Sequence, residues 1–239
     1  MYDRNQVTDN KNGAPIADCF GVIARGNSAS VAGADGVNWC EKASIAAKSA
    51  AHGSLHYLNK TIFNDTKPFD SLTIKSDEAG GGAAACANRV GNTREVFVSL
   101  LRAFSCAHDL ILENKGMLTT LTVAVVLPLK RRDDVQRFVC CVCNVGDTLA
   151  YVYSQRHGLR ELTKGSHDIN CNRDMRDALG ALGPVDGINP ELSNLTLSIT
   201  TLNKGDIVMV ASDGLTDNFD PNVCRFTVNS CVGEMATRV

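Results

Sequence analysis

Two long stretches of helical spacing stand together in the chain, with short strand-like segments before and after them, and this order excludes most α/β architectures. Residues 40–60 place Ile45, Ala46, Ser49, Ala50, Leu55 and Leu58 at steps that share one helix face. The run from Arg94 to Asn114 does the same with Val96, Leu100, Phe104, Ala107 and Ile111. Ahead of both lie two strand candidates, Ile16–Ala24 and Ala29–Ala34, split by the turn Gly26-Asn27-Ser28. Behind them come Thr120–Leu127, Phe138–Val145, Leu149–Ser154, Leu195–Thr200 and Ile207–Ala211, short, β-branched and bounded by turn residues. A doubly wound sheet needs strands and helices in alternation. The order found here predicts an α+β layered domain, with antiparallel strands packed against helices. Short connections such as Gly146-Asp147-Thr148 predict hairpins between neighbours.

The 239 residues suffice for one large core without staples. Residues 1–13 are polar and aperiodic and read as a flexible arm. One domain is predicted over 14–225, with 64–92 as a flexible insertion carrying Pro68 and the Gly-Gly-Gly-Ala-Ala-Ala tract from Gly80. That tract lacks the Lys-Ser/Thr of a phosphate-cradling loop. The balance of 24 basic and 26 acidic residues gives no footprint for nucleic acid or an anionic membrane. No apolar run reaches the ~20 residues of a membrane span. The N-terminus has no apolar signal region, so a cytoplasmic or nuclear location is expected. Ten cysteines in so large a chain do not imply a disulfide scaffold. Cys140, Cys141 and Cys143 lie in a strand-like run, where neighbours point to opposite faces, so core packing is expected rather than chelation.

The sharpest chemical signal is an echo between two distant places. Ser30–Ala34 runs into Asp35-Gly36, and Ile207–Ser212 runs into Asp213-Gly214. Each is an apolar strand tipped by an aspartate with glycine behind it, which lets backbone carbonyls approach a ligand. Carboxylates brought together raise one another's pKa, and a divalent cation reverses that effect. Oxygen-only ligation suits Mg²⁺ or Mn²⁺. Asp18, at the start of the first strand, is a third candidate carboxylate. Either Asp-Gly pair alone reads as an ordinary turn; the two together favour a metal site.

These residues resemble the metal-dependent protein phosphatase (type 2C, PPM) family. Gly33-Ala34-Asp35-Gly36-Val37 is similar to its strand-end Asp-Gly, and Thr119-Thr120 after Gly116 to its Gly-Ser-Thr strand entry. Cys143–Ala150, containing Asn144-Val145-Gly146-Asp147, resembles its Asn-Val-Gly-Asp hairpin. Leu162–Asp168, Ala178-Leu179-Gly180 and Ala211–Asp217 follow in the family's order. The resemblance implies an α-β-β-α four-layer sandwich, two antiparallel sheets flanked by helices, with a two-ion Mg²⁺ or Mn²⁺ centre at one edge. It implies that Asp35 bridges both ions, that the Gly36 carbonyl binds one and Asp213 the other, and that Asp18 sits near them through water. Asp147 matches an aspartate of an additional, weaker metal position. The implied reaction is hydrolysis of phosphoserine or phosphothreonine in a phosphoprotein by a metal-activated water. The alternative is a pseudophosphatase that keeps the fold as a protein-binding scaffold. No membrane or nucleic-acid partner is implied, and the oligomeric state is left open.

Three departures from the pattern stand out. The arginine that clamps phosphate in the family is replaced by Asn12–Ala17, leaving Arg4, Lys11 and Arg25 as substitutes without a placement. Trp39 follows Asp35-Gly36 where a small residue is usual, and burial against the next helix is expected for it. The family's late Asp-Asn ligand has no counterpart after Asp217, so residues 226–239 read as an incomplete C-terminal end. His52 and His56, four apart on a helix, read as two surface imidazoles. His167-Asp168 reads as structural, Cys171 as no nucleophile, Lys130–Asp134 as a solvated hairpin tip, and Arg173–Asp177 as a charged helix opening.

Overall fold

A computed structural model describes residues 4–7, 9, 11, 13–63, 69–72, 89–129, 136–164, 178–219 and 224, the backbone alone at 69–72 and 89–91. His167, Asp168, Cys171 and the charged runs 130–134 and 173–177 lie outside the described residues, as does all of 226–239.

The first sheet runs β1 (Cys19–Ala24), β2 (Ala29–Ala34), β5 (Leu121–Leu129), β6 (Arg137–Val145), β9 (Thr196–Asn203), each neighbour antiparallel. Within the stretch read as an insertion, β3 (Phe69–Leu72) and β4 (Arg89–Gly91) form a short parallel pair that joins the end of β5 at Leu72 and Leu129. A second, three-stranded antiparallel sheet has the order β10 (Ile207–Ala211), β7 (Leu149–Ser154), β8 (Gly158–Glu161). Two long helices, α1 (Glu41–Thr61) and α2 (Thr93–Glu113), cover the first sheet. The architecture is α+β with two sheets face to face. No described helix is long and apolar enough to cross a membrane.

Period-two alternation along β5 and β6 sorts the core into two layers. Val123, Val125, Cys141 and Cys143 face the helices, together with Leu58, Leu100 and Ile111. Ala124, Cys140 and Val142 face the second sheet, against Ala150 and Val152. The three cysteines are fully buried, and burial pushes their thiols up to about 12, so they pack as small hydrophobes. Each fully buried Leu or Ile contributes roughly 1.5–3 kcal/mol relative to exposure.

The helices start where the sequence supplies a cap. The Cys40 sulfur accepts from the Ala43 N–H at 3.4 Å, and Asn92 Oδ1 accepts from the Glu95 N–H at 3.0 Å. The buried face of α1 is built from Ala43, Ser44, Ala46, Ala47, Ala50, Ala51, Gly53 and Ser54. Small residues let α2 approach so closely that a Cβ on Gly53 would stand 3.2 Å from the Ala107 Cα.

Gly146-Asp147-Thr148 does not close a hairpin. β6 pairs with β5 and β9, whereas β7 pairs with β8 and β10, so the turn carries the chain from one sheet to the other. The cause is a corner locked from inside: Gly146 has φ +93°, and the buried Asn144 Nδ2 donates to the Thr148 carbonyl and to Thr122 Oγ1, each at 2.7 Å. Asn194 Oδ1 then accepts from the Gly146 N–H at 3.1 Å.

The two sheets meet closely at Gly33 of β2, where a Cβ would stand 2.6 Å from Val210 Cγ1 of β10. That contact sets the separation of two strands that both end in aspartate. Gly33→Val should cost roughly 1–3 kcal/mol by overpacking, read as a lower midpoint in urea unfolding with an unchanged slope. An unshifted midpoint would show that the sheets yield freely at this contact.

Candidate metal centre

Asp35 leaves the end of β2 with its backbone held on every side. Its N–H donates to Thr120 Oγ1 at 3.0 Å, and its carbonyl accepts from the Thr120 N–H and the Thr119 hydroxyl, both at 2.8 Å. Thr120 Oγ1 also lies 2.7 Å from Thr148 Oγ1, which ties Asp35 to the β6–β7 corner. Gly36 donates to the Ala17 carbonyl at 3.3 Å, and Val37 to the Leu118 carbonyl at 3.0 Å. Position 36 admits only glycine because a Cβ there would lie 2.6 Å from the Ala43 carbonyl oxygen and 3.0 Å from that of Ala17.

Asp18 precedes β1 in extended chain, and Ser212 Oγ donates to its Oδ2 at 3.3 Å. Asp213 opens the short helix α3 (Asp213–Thr216) directly after β10. Both carboxyls act on Asp35. Burial first, then the charge and side-chain hydrogen bond of Asp18, then those of Asp213, push the Asp35 carboxyl up to about 9. Three segments far apart in sequence therefore place three acids together, with Asp35 and Asp213 half-buried and Asp18 exposed.

Among the described residues no three His, Cys, Asp or Glu side chains already stand as a chelating group. The acids act on one another electrostatically, and the neighbouring Asp18 and Asp213 carboxyls raise the pKa of Asp35. Their chemistry nonetheless fits a hard divalent ion: the donors are oxygens, and the cluster needs positive charge, which a proton supplies in its absence. Asp18, Asp35 and Asp213 would be the carboxylate donors, with the Gly36 carbonyl beside them. Asp147 sits in the β6–β7 corner at 8 % exposure, one residue from the Thr148 that bonds Thr120.

The substitutes for a phosphate-binding arginine are placed as well. Arg25 follows β1 at the end opposite Asp18, about 23 Å away at 3.2–3.4 Å per residue. There its guanidinium donates to Asn59 Oδ1 and lies 3.8 Å over the Phe63 ring. Arg4 pairs with Asp9 at 3.3 Å and bridges Lys11 through the backbone.

Trp39 is 95 % exposed, which overturns its expected burial. The first turn of α1 already lies against Gly36 through the Ala43 backbone, where a Cβ on residue 36 would stand 2.6 Å from the carbonyl oxygen. Asn38, at φ +69°, turns the chain before Cys40 caps the helix. Sequence reasoning noted Thr119 and Thr120 only as a motif fragment and missed Ser212 and Asn194 as supports; a short hydroxyl or amide side chain beside a strand end was the one available signal.

The folded state holds the Asp35 proton more tightly than the unfolded chain does. The stability this contributes is complete below the ordinary carboxylate pKa of 3.8 and is lost as pH rises toward about 9. Without divalent ions, thermal melts should therefore show the melting temperature falling across that window. Asp35→Asn should flatten the fall and raise the melting temperature at neutral pH by several degrees, at about 2–4 °C per kcal/mol for a chain of this size. A variant that melts lower than wild type at every pH would contradict this.

No family model matches the chain. It is 53% identical over 226 residues to the PP2C-like domain-containing protein CG9801 of Drosophila melanogaster, an alignment covering 95% of this chain and 29% of that protein. The chain thus spans less than a third of that relative's length. Among solved structures it is similar to the photosystem II phosphatase PBCP (16% identity, TM-score 0.46, 88% of this chain and 65% of that one). It is also similar to RsbX, in a structure with magnesium (13% identity, TM-score 0.44, 89% and 81%). A Stage II Sporulation E family protein from Thermanaerovibrio acidaminovorans aligns over 82% of this chain and 80% of its own (17% identity, TM-score 0.46). With 53% identity over 95% of its length to a PP2C-like domain-containing protein, this chain is a divergent PP2C-like domain of the metal-dependent protein phosphatase (PPM) family.

Proposed function

We propose that this domain is a divergent serine/threonine protein phosphatase that uses Mg²⁺ or Mn²⁺ to hydrolyse phosphoserine or phosphothreonine in a protein substrate. The observation that carries this reading is the meeting of Asp18, Asp35 and Asp213 around one half-buried carboxyl. Two divalent ions, when bound, would supply the charge that lowers the pKa of a water and neutralises the phosphoryl oxygens. The chain's own part is positional. Thr119 and Thr120 hold the Asp35 backbone, Ser212 donates to Asp18, and the Gly36 carbonyl is proposed as a further oxygen donor. Asp147 is proposed as a donor for a further, weaker ion.

One observation favours a second reading, a pseudophosphatase that binds a protein partner without turnover. Arg25 is committed to Asn59 and Phe63, and Arg4 to Asp9, so neither is placed to clamp a phosphate. A bidentate guanidinium contact is among the strongest a phosphoryl group receives.

The readings separate in one assay. The phosphatase reading expects Mn²⁺-stimulated hydrolysis of p-nitrophenyl phosphate and of a phosphothreonine peptide, lowered at least about 100-fold by Asp35→Ala or Asp213→Ala, a loss typical for removed transition-state charge stabilisation. Folded protein that Mn²⁺ stabilises against heat but that turns over neither compound would favour the scaffold. Absence of both stabilisation and turnover would remove the metal reading altogether.

A further inference from the structure

His108 lies on α2, outside the acid cluster, yet both of its ring nitrogens are engaged by one loop. The Gly183 N–H donates to Nδ1 at 3.1 Å, and Nε2 lies 2.9 Å from the Ile188 carbonyl oxygen. An amide N–H only donates and a carbonyl only accepts, so the ring must be the neutral tautomer with its proton on Nε2. A single imidazole thus closes residues 183–188 against the helix. The loop adds its own stitches, from the Val185 N–H to the Asn189 carbonyl at 3.0 Å and from Asn189 Nδ2 to Asp186 Oδ1 at 2.8 Å.

What this loop holds is the support of Asp35. Leu182, one residue before Gly183, exchanges backbone bonds with Thr119: its N–H donates at 2.8 Å and its carbonyl accepts at 3.0 Å. Thr119, fully buried, sends its hydroxyl to the Asp35 carbonyl and forms a β-bridge with Gly36. Gly183, at φ +103°, is pressed against the Met117 carbonyl oxygen, where a Cβ would stand 2.1 Å away. The segment therefore has little freedom to shift without moving Leu182. The path runs from His108 through Gly183, Leu182 and Thr119 to Asp35 and Gly36, each step a hydrogen bond or a peptide link.

We propose that His108 is a positioning residue for the acid cluster, its Nε2–H tautomer clamping residues 183–188 so that Leu182 fixes Thr119 and, through it, the backbone of Asp35 and Gly36. The link to metal binding rests on the function proposed above; the clamp itself does not.

The test uses the purified chain, its His108→Leu variant, which can make neither bond, and His108→Gln, whose amide can both donate and accept. Amide hydrogen exchange at Gly183, Leu182 and Thr119 should speed up at least about tenfold in His108→Leu, that is by at least about 1.4 kcal/mol of local opening. His108→Gln should recover most of the protection. Nitrogen-15 shifts of the wild-type ring should report the Nε2–H tautomer. Stabilisation by millimolar Mn²⁺ in thermal melts should need at least about threefold more metal in His108→Leu. Unchanged protection at Thr119 and Leu182 in His108→Leu overturns the proposal. If that variant does not fold, an Nδ1–H tautomer in the wild type, or lost protection in His108→Gln, does so instead. A wild-type chain that Mn²⁺ does not stabilise sinks the metal reading alone, and the exchange data still decide the clamp.

Discussion

Three carboxyl groups cannot share a small, half-dry volume as three anions. Everything at the β2–β10 end of the molecule follows from that constraint. At Asp35 the conflict shows as a carboxyl whose pKa is pushed up, first by burial and then by the neighbouring Asp18 and Asp213. The arrangement is unfavourable in isolation and makes sense where positive charge is delivered from outside. Local conflicts of this kind, compensated by rigid surroundings, are what a functional site looks like in physical terms.

The surroundings are rigid because they are covalently diverse but bonded to one another. The Asp35 backbone is gripped by two consecutive threonines, one of which touches the corner threonine Thr148. The corner is filled by Asn144, an amide buried with partners for its donors in Thr122 and Thr148 and for its acceptor in Thr196 at 3.3 Å. Satisfied buried networks of this sort fix a unique geometry, whereas a half-satisfied one would weaken the core. Glycines 33 and 36 complete the frame by removing side chains where two layers, or a turn and a helix, come within contact distance.

Much of the fold was legible in the chain because its periods are clean. The strand at 29–34 and those at 149–154 and 207–211 have the boundaries that alternation and turn residues indicate, and both long helices lie within a residue of their predicted spans. The paired Asp-Gly strand ends pointed to Asp35 and Asp213 for the same reason: a charge at the tip of a buried strand is costly unless the tip has a purpose. Other features depended on partners distant in sequence. Gly146-Asp147-Thr148 has the composition of a hairpin turn, and only Asn144, Thr122 and Asn194 make it a corner between sheets. Trp39 looked like a core residue by type, but it stands exposed, three residues after the tight seat of Gly36 against α1. Arg25 looked available until Asn59 and Phe63 claimed it. Ser212 and Thr119 carry no chemical signature of their own, and their roles exist only through Asp18 and Asp35.

The β6–β7 corner has a mechanical consequence. It joins the two sheets at the end where the aspartates lie, since Leu149, just past the corner, pairs with Ala211, two residues before Asp213. It therefore acts as a fulcrum close to the acids. Sliding one layer over the other translates almost directly into the gap between Asp35 and Asp213, with little lever arm to amplify or absorb it. The spacing of the two strand tips is thus geared to the registration of the whole sandwich, and a disturbance of the interlayer packing anywhere along β2 or β10 would be transmitted to them.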